Sequence, residues 1–317
     1  MELCLPVSLS RAEVRVATRT ITEQKIAAAY NDAGDRYGSY ADGQADGLFD
    51  FTGHYAYGDK ATWIAIDQKL QALAANGAKS VRVLDLGCGP GTWLRRIATR
   101  ALELGLDKII AHGVDIADGQ VKRAEEACRH LSSLIELTFE VRDIREQFRE
   151  ADQSVDLCLC LYGVLNHVAP DDFAAVLGEV ARVTSGTFIS TVRTIGSTPT
   201  IYVDSIEAAR RFRQDHRLDR LDVELANGRH MSFTSHLFGT AELVGLVSQH
   251  LTVQDVCGLD IFHGRFSTDP RWNPPNAISS HFFERELTRL EQVFCREPEF
   301  IDHATHLLLV AKSQRQA

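Results

Sequence analysis

One stretch of the sequence, residues 81–93, constrains the fold of this chain more than any other. An apolar run of β type, Val81–Leu86, carries an acid near its end and passes into three glycines on alternate positions, Gly87, Gly89 and Gly91. Glycine has no Cβ, so the backbone can turn sharply there and approach a ligand closely. A helical pattern follows from Trp93. A strand that enters a helix through such a turn forms a nucleotide-type site at the edge of a parallel sheet. The spacing is G-x-G-x-G, whereas dinucleotide-binding proteins carry G-x-G-x-x-G.

The composition narrows the class of protein. The chain has 317 residues and is 44% hydrophobic, enough for one large domain with additions. Its net charge of −9 argues against nucleic acid as the main partner, because nucleic-acid binding needs a basic footprint. The seven cysteines show no zinc spacing, so we expect no metal site and a reduced, cytoplasmic chain. We expect neither a signal peptide nor a membrane partner, since no basic leader or long apolar run is present.

From Ser80 onward, strand and helix patterns alternate. This alternation predicts an α/β fold with a doubly wound, mostly parallel sheet and helices on both faces. The predicted strands are residues 81–86, 109–114, 137–141, 154–162, 187–192, 251–259 and 305–312. The predicted helices begin near residue 22 and then lie at 61–75, 93–105, 118–128, 171–183, 205–220 and 241–250.

Acidic residues follow the second and third predicted strands. Asp115 lies 24 residues beyond Gly91, close to the place from which an acid binds ribose hydroxyls. It is also placed to cap the following helix. Asp143 follows the third strand, where it is placed to cap the turn into residues 145–148. Asp115 therefore has both a ligand-binding and a structural interpretation, whereas the spacing alone gives Asp143 a structural one.

The run Asp85-Leu86-Gly87-Cys88-Gly89-Pro90-Gly91 resembles motif I, D/E-x-G-x-G-x-G, of the class I (Rossmann-like) S-adenosylmethionine-dependent methyltransferases of the small-molecule type. The resemblance covers residues 80–193 well, and 231–259 and 305–312 by pattern. It implies S-adenosylmethionine as cofactor and a seven-stranded sheet whose last strand is antiparallel between the fifth and sixth. It also implies that Asp143 accepts a hydrogen bond from the adenine. The cofactor-binding residues carried over from the family are Asp85, Gly87, Cys88, Gly89, Gly91, Asp115, Ile116, Asp143, Ile144 and Leu161.

Aromatic residues ahead of the core resemble the N-terminal helical cap of such enzymes. An aromatic face attracts a sulfonium cation, which gives these residues a physical role. Tyr37 suits cofactor contact and packing equally, whereas Tyr30 favours packing. Tyr57, with Tyr55, is a candidate for contact with the cofactor carboxylate.

The segment after the fourth strand, Tyr162-Gly163-Val164-Leu165-Asn166-His167, resembles motif IV and its extension. His167 is the candidate general base, because imidazole titrates near neutral pH, and a structural histidine is the alternative. Tyr162 and Asn166 are candidates for orienting a substrate or the sulfonium. The Asn/Asp-Pro-Pro-aromatic motif of nucleic-acid adenine methyltransferases is absent here, which again disfavours nucleic acid.

Three further residues are candidates for substrate contact. Arg193 ends the fifth strand, where its guanidinium suits a carboxylate, although a surface salt bridge explains it equally well. Ser235 and His236 precede the predicted helix at 241–250, in a segment that often brings substrate contacts in the resembled family.

The domain organisation that we expect has two lid-like additions. It comprises an N-terminal arm and helical cap (1–78), a cofactor-binding core (79–194), a helical addition (195–230), a core continuation (231–259), a second addition or lid (260–304) and a last core strand with tail (305–317). The first twenty residues are expected to be a loose arm or an oligomer contact, which leaves a homodimer open.

The predicted function is methyl transfer to a nitrogen, oxygen or carbon atom of a small molecule. Two alternatives stay open. One is a non-methylating cyclase or lyase of the azetidine-2-carboxylate synthase type, which releases methylthioadenosine. The other is a non-catalytic cofactor-binding subunit.

Overall fold

A computed structural model describes residues 24–31, 47–51, 55–129, 131, 134–197, 209–225, 228–266 and 280–314. The first twenty residues and Tyr37 lie outside these ranges, so the expectations placed on them stay predictions. Within the described ranges, no helix combines the length and apolar character that spanning a membrane requires.

A seven-stranded sheet forms the centre of the molecule. Its strands are β1 (Ser80–Leu86), β2 (Lys108–Asp115), β3 (Ile135–Val141), β4 (Val155–Cys160), β5 (Thr184–Arg193), β9 (Leu251–Leu259) and β10 (His306–Ser313). They lie in the order β3-β2-β1-β4-β5-β10-β9. β10 pairs antiparallel with both β5 and β9, and β1 to β5 are parallel neighbours. The predicted doubly wound sheet and the position of its last strand are therefore confirmed.

Helices cover both faces of the sheet. The helices are α1 (residues 24–31), α2 (Ala56–Ala75), α3 (Thr92–Glu103), α4 (Asp118–Cys128), α5 (Phe173–Val183), α6 (Thr240–Ser248), α7 (His263–Phe266), α8 (Ser280–Phe294) and α9 (Pro298–Ile301). Side chains alternate along β1, so Val81 and Val83 pack with α2 and α3 while Leu84 and Leu86 pack with α5 and α6. This double burial explains why β4, at the centre of the sheet, is almost continuously apolar.

The predicted helix at 205–220 is wrong. In the described part of this segment the chain forms β6 (Ala209–Asp215) and β7 (Arg220–Leu225), which pair antiparallel. β8 (His230–Thr234) adds a third strand, so residues 230–234 belong to this small sheet and not to a core continuation. The addition at 195–230 is therefore a β-structure in its described residues, not a helical one.

Turn chemistry and burial explain this correction. The Asp215 carboxylate accepts hydrogen bonds from the backbone N–H groups of Arg217 and Leu218 (3.1 and 3.2 Å), which stabilises a turn between β6 and β7. Leu221 and Val223 alternate along β7 and are buried against Ile26 and Ala29 of α1, together with Phe233 of β8. The many arginines suggested a solvated helix face, but an apolar period of two decides the structure.

This packing predicts unequal costs for two leucines of the hairpin. Leu221 is completely buried, whereas Leu218 in the turn is 62% exposed. We expect Leu221→Ala to lower the free energy of unfolding by about 2–5 kcal/mol, because it leaves a cavity against α1. The matched variant Leu218→Ala should change it by less than about 0.5 kcal/mol. Urea denaturation measures both, and equal effects would contradict the hairpin.

Candidate active site

The glycine loop joins β1 to α3. Gly87, Gly89 and Gly91 have φ values of 74°, 51° and 77°, which glycine adopts without the strain of a side chain. A methyl group on Gly87 would collide with the side chain of Val164. The N–H groups of Gly87 and Cys88 both donate to the carbonyl oxygen of Val114, at 2.8 and 2.9 Å. The loop is thus fixed to the end of β2 by its own backbone.

A cavity opens beside this loop at the carboxyl edge of the sheet. It encloses about 670 Å³, including its open mouth. Segments that follow β1, β2, β3 and β4 meet there, together with α1, as open parallel sheets bring them together. The lining residues are Ile26, Tyr30, Gly87, Gly89, Asp115, Ile116, Gln120, Arg142, Asp143, Ile144, Arg145, Leu161, Tyr162, Val164, His167 and Val168.

Asp115 connects the cavity wall to the glycine loop. Its Oδ2 accepts a hydrogen bond from the Gly89 N–H, and its Oδ1 accepts one from the Ala117 N–H, both at 2.9 Å. Burial raises the pKa of this carboxyl, while these backbone donors oppose the shift. Each carboxylate oxygen has a second lone pair. Asp115 therefore both organises the loop and keeps acceptor capacity for a ligand.

Asp143 and Ile144 line the cavity after β3. The Asp143 Oδ1 accepts from the backbone N–H and the Nε of Arg145, at 2.9 and 2.8 Å, and its Oδ2 accepts from the same guanidinium. The turn-capping interpretation of Asp143 is thus present in the structure. The contact of Asp143 with an adenine stays a prediction, for a residue that lines the cavity.

Asp85 lies under the loop and does not line the cavity. It is 1% exposed, and its Oδ2 has no hydrogen-bond partner among the described residues. Burial, together with the charge of Asp115, raises the pKa of Asp85 to about 7. Cys88 and Gly91 also lie off the cavity surface. These three predicted cofactor residues shape the loop instead of contributing to the lining.

His167 lines the cavity with a fixed tautomer. Its Nδ1 lies 2.8 Å from the carbonyl oxygen of Thr234, which can only accept, so Nδ1 carries the proton. Its Nε2 is then the acceptor for the hydroxyl of Tyr30, at 2.9 Å. Burial lowers the pKa of His167 to about 4. The imidazole is consequently neutral near pH 7, with Nε2 unprotonated.

Tyr30 is the residue that the sequence interpretation underrated. It packs against the buried cluster around Ile26 and Phe233, as the sequence predicts, and it also lines the cavity, where its ring meets that of His167 edge-on at 5.7 Å. Burial and the charge of Asp115 raise its pKa strongly, so the hydroxyl stays protonated. Nothing in the sequence connects positions 30 and 167. The only signal was the aromatic character of the cap.

Tyr162 lines the cavity from the end of β4. Its φ is 54°, and its backbone N–H donates to Thr191 Oγ1 at 2.6 Å, which fixes the turn. The ring stacks near Trp93, with centroids 5.9 Å apart, and the hydroxyl donates to the carboxylate of Asp59. Burial raises the pKa of Asp59 to about 6. Tyr162 is therefore held rigidly at the cavity wall.

Asn166 connects two chain segments by hydrogen bonds and does not line the cavity. Its amide nitrogen donates to the carbonyl oxygens of Arg193 and His236, at 3.0 and 2.5 Å, and its Oδ1 accepts from the Arg193 N–H at 2.9 Å. It is 1% exposed. All of its amide groups are thus used in joining the end of β5 to the segment after β8, which makes it a positioning residue.

The predicted substrate residues Arg193, Ser235 and His236 are not part of the cavity lining. Ser235 is buried, and its carbonyl accepts from Gln214. His236 lies between the carboxylates of Asp219 and Glu242, at 2.8 and 3.0 Å. The structure places these residues next to Asn166 and outside the cavity lining. Their role as substrate contacts stays a prediction.

Tyr57 lies away from the cavity lining. Its ring stacks on His263 with centroids 4.8 Å apart and planes at 11°. Tyr55 likewise packs against His306. The expected contact of these tyrosines with the cofactor carboxylate is therefore not supported by the cavity. They pack α2 against the residues around α7 and β10.

The environment of His167 predicts its titration. We expect ¹⁵N NMR to show the neutral Nδ1–H tautomer down to about pH 4, because the enclosed ring disfavours charge. An unfolded histidine takes its proton near pH 6.5. Between these values only the unfolded state binds that proton, so this group makes the fold less stable as pH falls.

The variant His167→Gln supplies the control for this titration. Since glutamine takes up no proton, the variant should lack the part of the stability loss that occurs between pH 6.5 and 4. A wild-type His167 signal that titrates near pH 6.5 would contradict the enclosed site.

Part of the chain matches a known family of domains. Residues 83–186 match the family model described as a methyltransferase domain. No curated protein sequence matches the chain. Three solved structures illustrate the similarity, and each has a TM-score below 0.5, so the assignment rests on the family model.

Magnesium protoporphyrin IX methyltransferase from Synechocystis is 13% identical, with 98% of this chain and 100% of that chain covered and a TM-score of 0.49. An S-adenosylmethionine-dependent methyltransferase from Methanosarcina mazei is 16% identical over 74% and 93%, with a TM-score of 0.47. Geranyl diphosphate C-methyltransferase from Streptomyces coelicolor is 13% identical over 79% and 77%, with a TM-score of 0.44.

The residues present fit the cofactor of this family. Gly87 and Gly89 leave room for close approach to the backbone, and Asp115 and Asp143 are acceptors on adjoining walls. Asp85 holds an unsatisfied, buried carboxyl oxygen next to the loop, as suits a cationic ligand. Residues 83–186 therefore carry a methyltransferase domain, an enzyme domain whose cofactor is S-adenosylmethionine.

Proposed function

We propose that this enzyme methylates a small molecule in the cavity beside the glycine loop. The observation that carries the proposal is the pair of His167 and Tyr30. Both line the same cavity as Gly87, Gly89 and Asp115, and the Tyr30 hydroxyl is hydrogen-bonded to the Nε2 of His167 at 2.9 Å. The hydrogen-bonded side chains of Tyr30 and His167 therefore lie in the same cavity that is proposed to hold the cofactor.

The cofactor, when bound, supplies an electrophilic methyl group on a positively charged sulfur. The chain binds and orients it. Asp115 is proposed to accept from the ribose hydroxyls and Asp143 from the adenine amino group, while Ile116, Ile144 and Leu161 provide apolar contact. Asp85 contributes a negative potential under the loop, because an approaching cation favours its ionised form. The supporting observations are the positions of these residues at the strand ends.

His167 and Tyr30 are proposed to orient the nucleophile. His167 fixes the direction of the Tyr30 O–H, so the tyrosine oxygen can accept a hydrogen bond from a substrate N–H or O–H. With a pKa of about 4, His167 is a weak base. It suits a nucleophile that attacks with its own lone pair, such as an amine, better than an alcohol that must first lose its proton. Positioning for in-line transfer is therefore the main contribution.

A small substrate is consistent with the enclosure of the site. α1 lies over the cavity and is held to α4, since the Gln120 side chain donates to the carbonyl of Tyr30 and the Asn31 Oδ1 accepts from the Gly119 N–H, both at 2.9 Å. The net charge of −9 disfavours nucleic acid. The cytoplasmic location and the homodimer stay predictions.

Product analysis tests the reaction directly. Purified protein is incubated with S-adenosylmethionine alone and then with a panel of small primary and secondary amines and alcohols. We expect no turnover without a second substrate, and S-adenosylhomocysteine once an accepted amine is added. Methylthioadenosine formed from the cofactor alone would instead support the cyclase or lyase. Cofactor binding without any product across the panel would support the non-catalytic subunit.

Removal of the tyrosine hydroxyl tests the orienting pair. We expect Tyr30→Phe to lower kcat about 10- to 100-fold, because the nucleophile loses its positioning acceptor. Affinity for S-adenosylhomocysteine, measured on the same variant by calorimetry, should change less than threefold, or about 0.6 kcal/mol. A parallel loss of both quantities would mean that Tyr30 only holds the cap in place.

Substitution of Asp115 tests its proposed contact with the cofactor. We expect Asp115→Ala to weaken S-adenosylhomocysteine binding by about 1–3 kcal/mol, through lost hydrogen bonds to a charged acceptor. The matched control is Asp152→Ala, which removes an exposed carboxylate that is paired with Arg182 at 2.8 Å and is not part of the cavity lining. Unchanged affinity in Asp115→Ala would remove this residue from the ribose role.

A further inference from the structure

A second concave surface lies on the small sheet of β6, β7 and β8. Residues of α1 and of all three strands line a groove of about 1140 Å³, including its open mouth. Among the described residues, the groove and the cavity beside the glycine loop have no lining residue in common. None of the proposed steps of methyl transfer uses this groove.

Basic side chains outnumber acidic ones in the described lining of the groove. The acids are Asp222 and Glu224 of β7. The chain as a whole has a net charge of −9, so the charge of this groove is opposite in sign to that of the protein. The permanently charged basic residues are Lys25 on α1, Arg211 and Arg213 on β6, and Arg229 just before β8.

Both acids of the groove have partners that do not line it. Asp222 pairs with Arg220 at 3.0 Å, and a carboxylate oxygen of Glu224 lies 3.5 Å from Arg210. Within the described part of the chain, Lys25 and the two arginines of β6 that line the groove have no ion-pair partner. Their positive charges are therefore not compensated inside the groove.

The side chains of this groove favour a small anion with several charges. A guanidinium group binds phosphate or carboxylate oxygens through parallel N–H donors, and an ammonium group adds a point charge. Several such groups around one concave surface suit a ligand whose negative charges adjoin. A long polyanion such as nucleic acid is disfavoured, because beyond the groove it would meet a protein of like charge.

The groove lies directly behind a wall of the cavity. Phe233 of β8 lines the groove, and its ring meets that of His167, which lines the cavity, with centroids 5.7 Å apart. On α1, Ala28 lines the groove whereas Tyr30 lines the cavity. A bound anion would thus occupy a separate site that shares α1 and β8 with the cavity.

We propose that this groove binds a small anion that carries several phosphate or carboxylate charges, at a site distinct from the cofactor cavity. Arg211 and Arg213 bind the anionic oxygens, and Lys25 adds a positive charge from α1. This binding needs neither a methyl acceptor nor turnover.

Isothermal titration of the full-length protein in low salt tests the groove, with pyrophosphate as the phosphate probe and citrate as the carboxylate probe. We expect at least one of them to bind with one site per chain, and the tighter of the two identifies the preferred group. Saturation with S-adenosylhomocysteine should change this affinity by less than about threefold, since the two sites have separate linings. No binding of either anion, or displacement by S-adenosylhomocysteine, would overturn the proposal.

Substitution of the arginines locates the bound anion. The double variant Arg211→Gln/Arg213→Gln should weaken binding about tenfold or more, because two charged donors are lost. The matched control is Arg217→Gln, which removes an exposed arginine in the turn between β6 and β7 that does not line the groove. It should change the affinity by less than about twofold in the presence of salt screening. Undiminished binding by the folded double variant, or an equal loss in the control, would contradict the site.

Discussion

The site depends on the hydrogen bonds that fix the glycine loop to the end of β2. Two adjacent N–H groups, of Gly87 and Cys88, share the carbonyl oxygen of Val114, and the Gly89 N–H binds the Asp115 carboxylate. The backbone turns through positive φ at Gly87 and at Gly89 as it forms these bonds. Through this contact the ends of β1 and β2 form one rigid edge. The cavity, the acids on its walls and the entry into α3 all take their positions from it.

The second wall of the site comes from outside the central sheet. α1 packs on the small sheet of β6, β7 and β8, and β8 supplies the Thr234 carbonyl that sets the tautomer of His167. Asn166 then connects the ends of β5 and β8 with all of its amide groups. The addition therefore does more than cover the cavity, because it determines which nitrogen of His167 faces Tyr30.

The sequence predicted what depends on local pattern, and it missed what depends on packing between distant segments. Strand and helix alternation, the glycines at 87 to 91 and the acids at 115 and 143 are short-range signals, so the sequence correctly predicts the central sheet, and Gly87, Gly89, Asp115 and Asp143 line one cavity at its edge. The arginines between 210 and 220 suggested a helix with a solvated face, which is wrong. The alternation of Leu221 and Val223 is explained only by their burial against α1. Asn166 and Tyr57 have residue types that suit an active site, but their partners, Arg193 and His263, are set by tertiary contacts. For the same reason the pairing of Tyr30 with His167 could not be read from the chain.

The central claim is that this edge of the sheet binds S-adenosylmethionine and not a dinucleotide. Isothermal titration of the full-length protein with S-adenosylhomocysteine and, separately, with NAD⁺ tests it most directly. We expect S-adenosylhomocysteine to bind with one site per chain and NAD⁺ to give no binding heat. Binding of NAD⁺, or no binding of S-adenosylhomocysteine by the folded protein, would contradict the account.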